Sequence, residues 1–62
     1  MVLVFKNGEE EIARHESPYI PKKDDEIKLG KRHFIVRKLV YEFYGSNNAH
    51  LAEVFMDESV HG

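Results

Sequence analysis

The stretch KRHFIVRKLVYEFYG, residues 31–45, holds the densest apolar run in the chain. It opens as an alternation, with Phe34 and Val36 on one side and His33, Ile35 and Arg37 on the other. Period-two alternation is the mark of a half-buried strand. At Arg37-Lys38 the phase slips by one, and the pattern resumes as Leu39, Tyr41, Phe43. One extra residue in a strand is a β-bulge, which bends the strand and returns later side chains to the original face. Small sheets curl over on such bends. The stretch therefore predicts one long, bent strand, with Leu39, Tyr41 and Phe43 facing the core.

Working outward, Ile27 and Leu29 alternate with Glu26 and Lys28 just upstream, and Gly30-Lys31 supplies a turn. This predicts a hairpin with the bent strand. At the start of the chain, Asn7-Gly8 separates Val2–Lys6 from Glu9–His15. Asn-Gly favours the positive φ angles of a tight hairpin turn, so a first hairpin is expected there. Its second strand is polar and reads as an edge. A helix through GEEEIARHE is the rival, because Glu, Ala and Arg favour helices. Between the hairpins, SPYIPKKDD carries Pro18 and Pro21, each of which pushes the residue before it to an extended conformation. An extended crossing loop follows, with Tyr19 or Ile20 plugging an end of the core. GSNNA (45–49) is a loop by composition. Residues 48–57 read either as a fifth strand, with Ala52, Val54 and Met56 on one face, or as a helix with an apolar stripe at Leu51, Val54 and Phe55. Four strands need a fifth to close a sheet, which favours the strand. The expected fold is all-β: a five-stranded antiparallel SH3-like barrel over residues 1–57, with 58–62 a frayed tail. An α+β fold with a C-terminal helix is the alternative.

The run YIPKKDDEIKLGKRHFIVRKLVYEF, preceded by a tight hairpin and followed by a short apolar strand, resembles small single-domain β-barrel proteins of bacteria and their phages. The shared look is a proline, an acidic turn, a hydrophobic strand, a Gly turn and a bulged strand ending in aromatics. The resemblance covers most of residues 1–57 and implies a barrel and a bacterial or phage origin. It carries no catalytic residues to transfer.

Sixty-two residues make one domain at most. A chain of this size buries only about 60% of the surface its unfolded form exposes. With no cysteine, neither disulfides nor thiolate metal sites are available. The opening MVLVF is too short for a signal peptide or a membrane span, so a cytoplasmic location without membrane contact is expected.

Chemistry finds little purchase. Ser17, Ser46 and Ser59 lie outside any Gly-x-Ser-x-Gly elbow. The carboxylate pairs Asp24-Asp25 and Glu9–Glu11 fall on turns with no pocket to raise a pKa. His15, His33, His50 and His61 lack zinc-site spacing, although His15 and His33 could approach across strands. No glycine-rich phosphate loop is present. The expectation is a non-enzymatic protein with no metal, no cofactor and no catalytic residues.

Two binding surfaces remain. Residues 22–38 hold seven of the nine Lys and Arg, a balance of +4 against −6 for the rest of the chain. Lys22, Lys23, Lys31, Arg32, Arg37 and Lys38 are thus candidates for polyanion binding, and small barrels do hold single strands with cations and aromatics. The acidic remainder and a pI near 6.0 argue against it. The second surface is the far face of the bent strand, where Ile35, Val40 and Tyr44 point away from the core set. Apolar residues on a face that should meet water mark an interface. A protein-interaction module is the favoured expectation, with a protein partner or a second copy in a homodimer; an accessory nucleic-acid-binding protein is the alternative.

Overall fold

The computed structural model describes residues 1–43 and 50–59. Five strands run in chain order: β1 Val2–Asn7, β2 Glu10–Glu16, β3 Glu26–Leu29, β4 Arg32–Glu42 and β5 Leu51–Ser59. They form one curled sheet in the order β2-β1-β5-β4-β3, an all-β half-barrel with no helix among the described residues. Residues 51–57 are strand, which disposes of the C-terminal helix. β5 also runs on through Glu58 and Ser59, two residues beyond the end expected for the domain. The GSNNA loop, Tyr44 and residues 60–62 lie outside the described residues.

Three of the four strand pairings are antiparallel, and the β1–β5 pairing is parallel. The reason lies in connectivity. Each hairpin is local, but β5 inserts between them and pairs with β1 on one side and β4 on the other. β5 is the seam of the molecule. Its Ala52, Val54 and Met56 join Leu3 and Phe5 of β1 and Phe34 and Val36 of β4 in the buried core. Strands β2 and β3 add only half-buried side chains such as Ile12, Ala13, Ile27 and Leu29.

The bend expected in β4 is present. Val36 faces Met56 and Lys38 faces Phe55, so Arg37 is the extra residue. Beyond it Leu39 pairs with Val54 and Tyr41 with Ala52, on the core face. Only Leu39 packs against the core, however; Tyr41 is 44% and Phe43 58% exposed. The strand outruns the half-barrel, because β3 spans four residues and ends opposite Arg32–Ile35. A second bulge lies in β2, where Phe5 faces Ala13 and Lys6 faces Glu11, leaving Ile12 extra. It allows Ile12 and Ala13 both to approach the core.

The first turn sits one residue later than Asn7-Gly8 suggests. Asn7 pairs with Glu10, so the loop is Gly8-Glu9, with φ +62° at Gly8. The second hairpin repeats the geometry: Leu29 pairs with Arg32 around Gly30-Lys31, with φ +64° at Gly30. In both, the positive φ belongs to the first loop position alone, the place where a two-residue hairpin loop favours glycine. The crossing loop ends in a turn closed by Asp25 N–H donating to Lys22 C=O at 3.1 Å, with Asp24 at φ +75°. Its aromatic does not plug the core. Ser17 Oγ accepts the Tyr19 N–H at 3.1 Å, a local turn that leaves Tyr19 82% exposed.

Candidate protein-binding edge

An open sheet has two edges, and rows of unpaired N–H and C=O groups there invite another strand. The β2 edge is defended. It carries Glu10, Glu11, Arg14 and Glu16, all exposed, and is bent by the bulge at Ile12. The β3 edge is defended by its brevity, at four residues. A third stretch of edge has neither protection. Asp24 N–H donates to Val36 C=O and Val36 N–H to Asp25 C=O, at 2.8 and 2.9 Å, and this closes the pairing along β4. Beyond Val36, no strand among the described residues pairs with β4 on the side away from β5.

That stretch exposes apolar side chains on its core side and Val40 between Lys38 and Glu42 on its outer side. Leu39 and Tyr41 take the core side, Val40 takes the outer side, where it is 39% exposed, and Phe43, just past the strand, is 58% exposed. The arrangement follows from the bulge. Arg37 sends the strand past the end of the barrel with its alternation restored, so aromatics meant for an inner face emerge into solvent. Sequence reasoning placed Tyr41 and Phe43 in the core. Their exposure becomes legible only once β3 is known to stop short.

Of the interface residues expected on the outer face, Ile35 is half-buried and Val40 exposed, and Tyr44 lies outside the described residues. The two described do not form one apolar patch. The register sets Lys38 between them, with its ammonium 5.0 Å from the centre of the Phe55 ring. Lys6 reaches the same ring at 5.5 Å and also bonds Glu53 at 3.1 Å. The outer face is thus a mixed surface in which long cationic side chains cover apolar ones. Val4, buried on this face, has Arg14 and Glu53 as its cross-strand neighbours.

The polyanion candidates are scattered and partly neutralised. Arg32 donates Nε and Nη2 to the two Glu58 oxygens, each at 2.9 Å, and lies 5.1 Å from the centre of the Phe34 ring. It closes the end of the core. Arg37 Nη1 bonds Asp57. These contacts hold both guanidinium groups above their ordinary pKa, and the Arg32 hydrogen bonds hold the Glu58 carboxyl below its own. Lys22 and Lys23 sit on the crossing loop and Lys31 on a hairpin tip, all exposed. His15 and His33 stay apart on β2 and β4, with β1 and β5 between them. His15 meets Phe5 edge-on at 6.1 Å, and His33 Nδ1 lies 3.4 Å from Glu26. Among the described residues, no three His, Asp or Glu gather as a metal site would require. No helix among them is long and apolar enough to cross a membrane.

The open side of the half-barrel forms a groove of about 430 Å³ between β2 and β3. Leu3, Phe5, Ile27 and Leu29 line it, and Tyr19 and Ile20 of the crossing loop form its rim. The groove is a mainly apolar concavity; His15, Ser17 and Asp25 are the polar side chains in its lining, and Ser17 Oγ is engaged with the Tyr19 backbone in its own turn. No family model matches the chain, and neither the curated proteins nor the solved structures offer a match.

Proposed function

We propose that this protein is a non-enzymatic binding module that recognises another protein by strand addition at the β4 edge. The observation that carries the reading is the stretch of β4 beyond Val36, which has no strand on its far side among the described residues and exposes Val40 and Tyr41, continuous with a well-packed sheet. Strand addition draws affinity from main-chain hydrogen bonds and specificity from alternate side chains. Val40 and Tyr41 supply one such side chain on each face. The other two edges carry the charges, bulge and brevity by which sheets resist unwanted pairing. The contrast marks the β4 edge as the one left receptive.

The test compares the wild-type chain with a Val40→Lys/Tyr41→Lys variant. Both positions are exposed, so the variant folds, as circular dichroism will verify. A protein retained from host extract by the wild type and lost by the variant supports the edge as the site. Equal retention by both overturns it.

A nucleic-acid role through the basic segment 22–38 has one favourable observation, the Phe55 ring flanked by Lys6 and Lys38. An aromatic among cations is how single strands are held. The engagement of Arg32 and Arg37 with Glu58 and Asp57 weighs against it. Steeply salt-dependent binding of short single-stranded DNA or RNA, lost in Arg37→Glu/Lys38→Glu, would favour this reading.

A further inference from the structure

Where β4 has no strand on its far side among the described residues, the run reads RKLVYEF, residues 37–43. Laid antiparallel against itself about Val40, it is self-complementary. Lys38 falls opposite Glu42, Leu39 opposite Tyr41, and Val40 opposite Val40. A two-fold axis then repeats the Lys38–Glu42 and Leu39–Tyr41 pairs on either side of the centre. The faces agree as well. Lys38, Val40 and Glu42 lie on the outer face, across from Phe55, Glu53 and Leu51. Leu39 and Tyr41 lie on the core face, across from Val54 and Ala52.

We infer that two copies of this chain associate through their β4 edges, antiparallel and in the register centred on Val40, making one continuous ten-stranded sheet (five strands from each copy). This rests on the reading of the β4 edge as the binding edge and names its occupant. Charge complementarity selects the occupant. Directly opposed unlike charges stabilise a strand pair and like charges destabilise it. Only registers that keep both core faces on one side of the shared sheet are allowed, which shifts the centre in steps of one residue. Centring on Leu39 sets Lys38 against Val40, and centring on Tyr41 sets Val40 against Glu42. The Val40 register alone pairs cation with anion and apolar with apolar at every position from 38 to 42. It also covers exposed Tyr41 with the partner's Leu39 and packs the two Val40 side chains together. A closed two-fold pair is the commonest assembly of soluble chains, and here one edge of each subunit satisfies the other.

The experiment is a charge swap read by sedimentation equilibrium on the full chain, with circular dichroism as the folding control. Wild type is expected to be a dimer. Lys38→Glu faces two Glu–Glu contacts and Glu42→Lys two Lys–Lys contacts, so each variant alone should dissociate roughly tenfold to a hundredfold more readily. Mixed together they should form a one-to-one heterodimer tighter than either variant's own, because both contacts then oppose unlike charges. The double variant Lys38→Glu/Glu42→Lys should recover self-association. A wild type that stays monomeric at millimolar concentration overturns the self-pairing and leaves the binding edge to its own partner-retention test. A wild-type dimer indifferent to both single reversals overturns the Val40 register. Failure of the mixed variants to pair does the same.

Discussion

At Gly8 and Gly30 a built Cβ would meet nothing within 4 Å, so space alone does not demand glycine. Conformation does. With φ near +60° at both, an L side chain costs about 1–2 kcal/mol and a β-branched one sits at the upper end. Gly8→Val and Gly30→Val should each lower the melting temperature by roughly 4–8 °C per kcal/mol lost. Asp24 presents the converse case, a non-glycine residue at φ +75°. Asp24→Gly should raise stability slightly in the same melts, by up to about 1 kcal/mol, because the strain it relieves exceeds the added freedom of the unfolded chain. The charged pairs give a pH dependence. Hydrogen bonds from Arg14 and Arg32 depress the folded pKa of Glu11 and Glu58 below the ordinary 4.5. Carboxylates with depressed folded pKa stabilise above the unfolded value, and that contribution disappears as pH falls through the folded one. The urea midpoint should therefore decline between pH about 6 and about 3, and Arg32→Met should make the decline shallower. A midpoint that rises on acidification would contradict these pairs.

Among the elements, β4 departs furthest from a regular strand, and its departure is a single residue. Arg37 is extra to the β4–β5 register, so removing it leaves Phe34, Val36, Leu39 and Val40 on their present faces. Arg37 deletion should cost the local bend and a solvent-screened ion pair, and the chain should still fold. Deleting Ile35 instead breaks the alternation between two fully buried side chains, Phe34 and Val36. One of them must turn to water, at roughly 1.5–3 kcal/mol for the lost burial alone. Thermal melts of the two deletions should separate clearly, with the Ile35 deletion largely unfolded. Similar losses in both would mean that Arg37 is not the residue left over. Two features of this element were open to reading from the alternation in residues 31–45: the existence of the bulge and the outward aim of Val40. That Tyr41 and Phe43 emerge from the barrel was not, because their cover depends on the length of β3 and on where the crossing loop joins β4.

The molecule as a whole is elongated, at 44 × 22 × 18 Å. Its radius of gyration of 11.9 Å exceeds the about 10.6 Å expected of a compact chain of this length. The excess fits a half-barrel whose longest strand overshoots the core. Stability must then rest on few side chains. Phe34 is fully buried, and Phe34→Ala should cost about 3–5 kcal/mol. Domains of this size command only about 3–5 kcal/mol in all, so the variant should be mostly unfolded in far-ultraviolet circular dichroism. Phe43→Ala makes the same chemical change at a site 58% exposed. It should leave the dilute protein's melting temperature nearly unchanged, and a large loss there would place Phe43 in the core.

Local order in this protein was determined by its sequence alone in two glycine-turned hairpins and a bulged strand with its faces assigned, whereas residues 51–57 were left between strand and helix. Each depends on neighbouring residues, through φ preferences and period-two burial. Tertiary structure alone decided that β5 runs parallel to β1, that the barrel stays open between β2 and β3, and that Arg32 and Arg37 are held by Glu58 and Asp57. It alone decided, too, that Tyr41 and Phe43 emerge exposed beside Val40 while Ile35 stays half-buried. These features join residues far apart in the chain. No local preference encodes which strand enters between two hairpins, or how far a neighbouring strand extends before it leaves an edge bare.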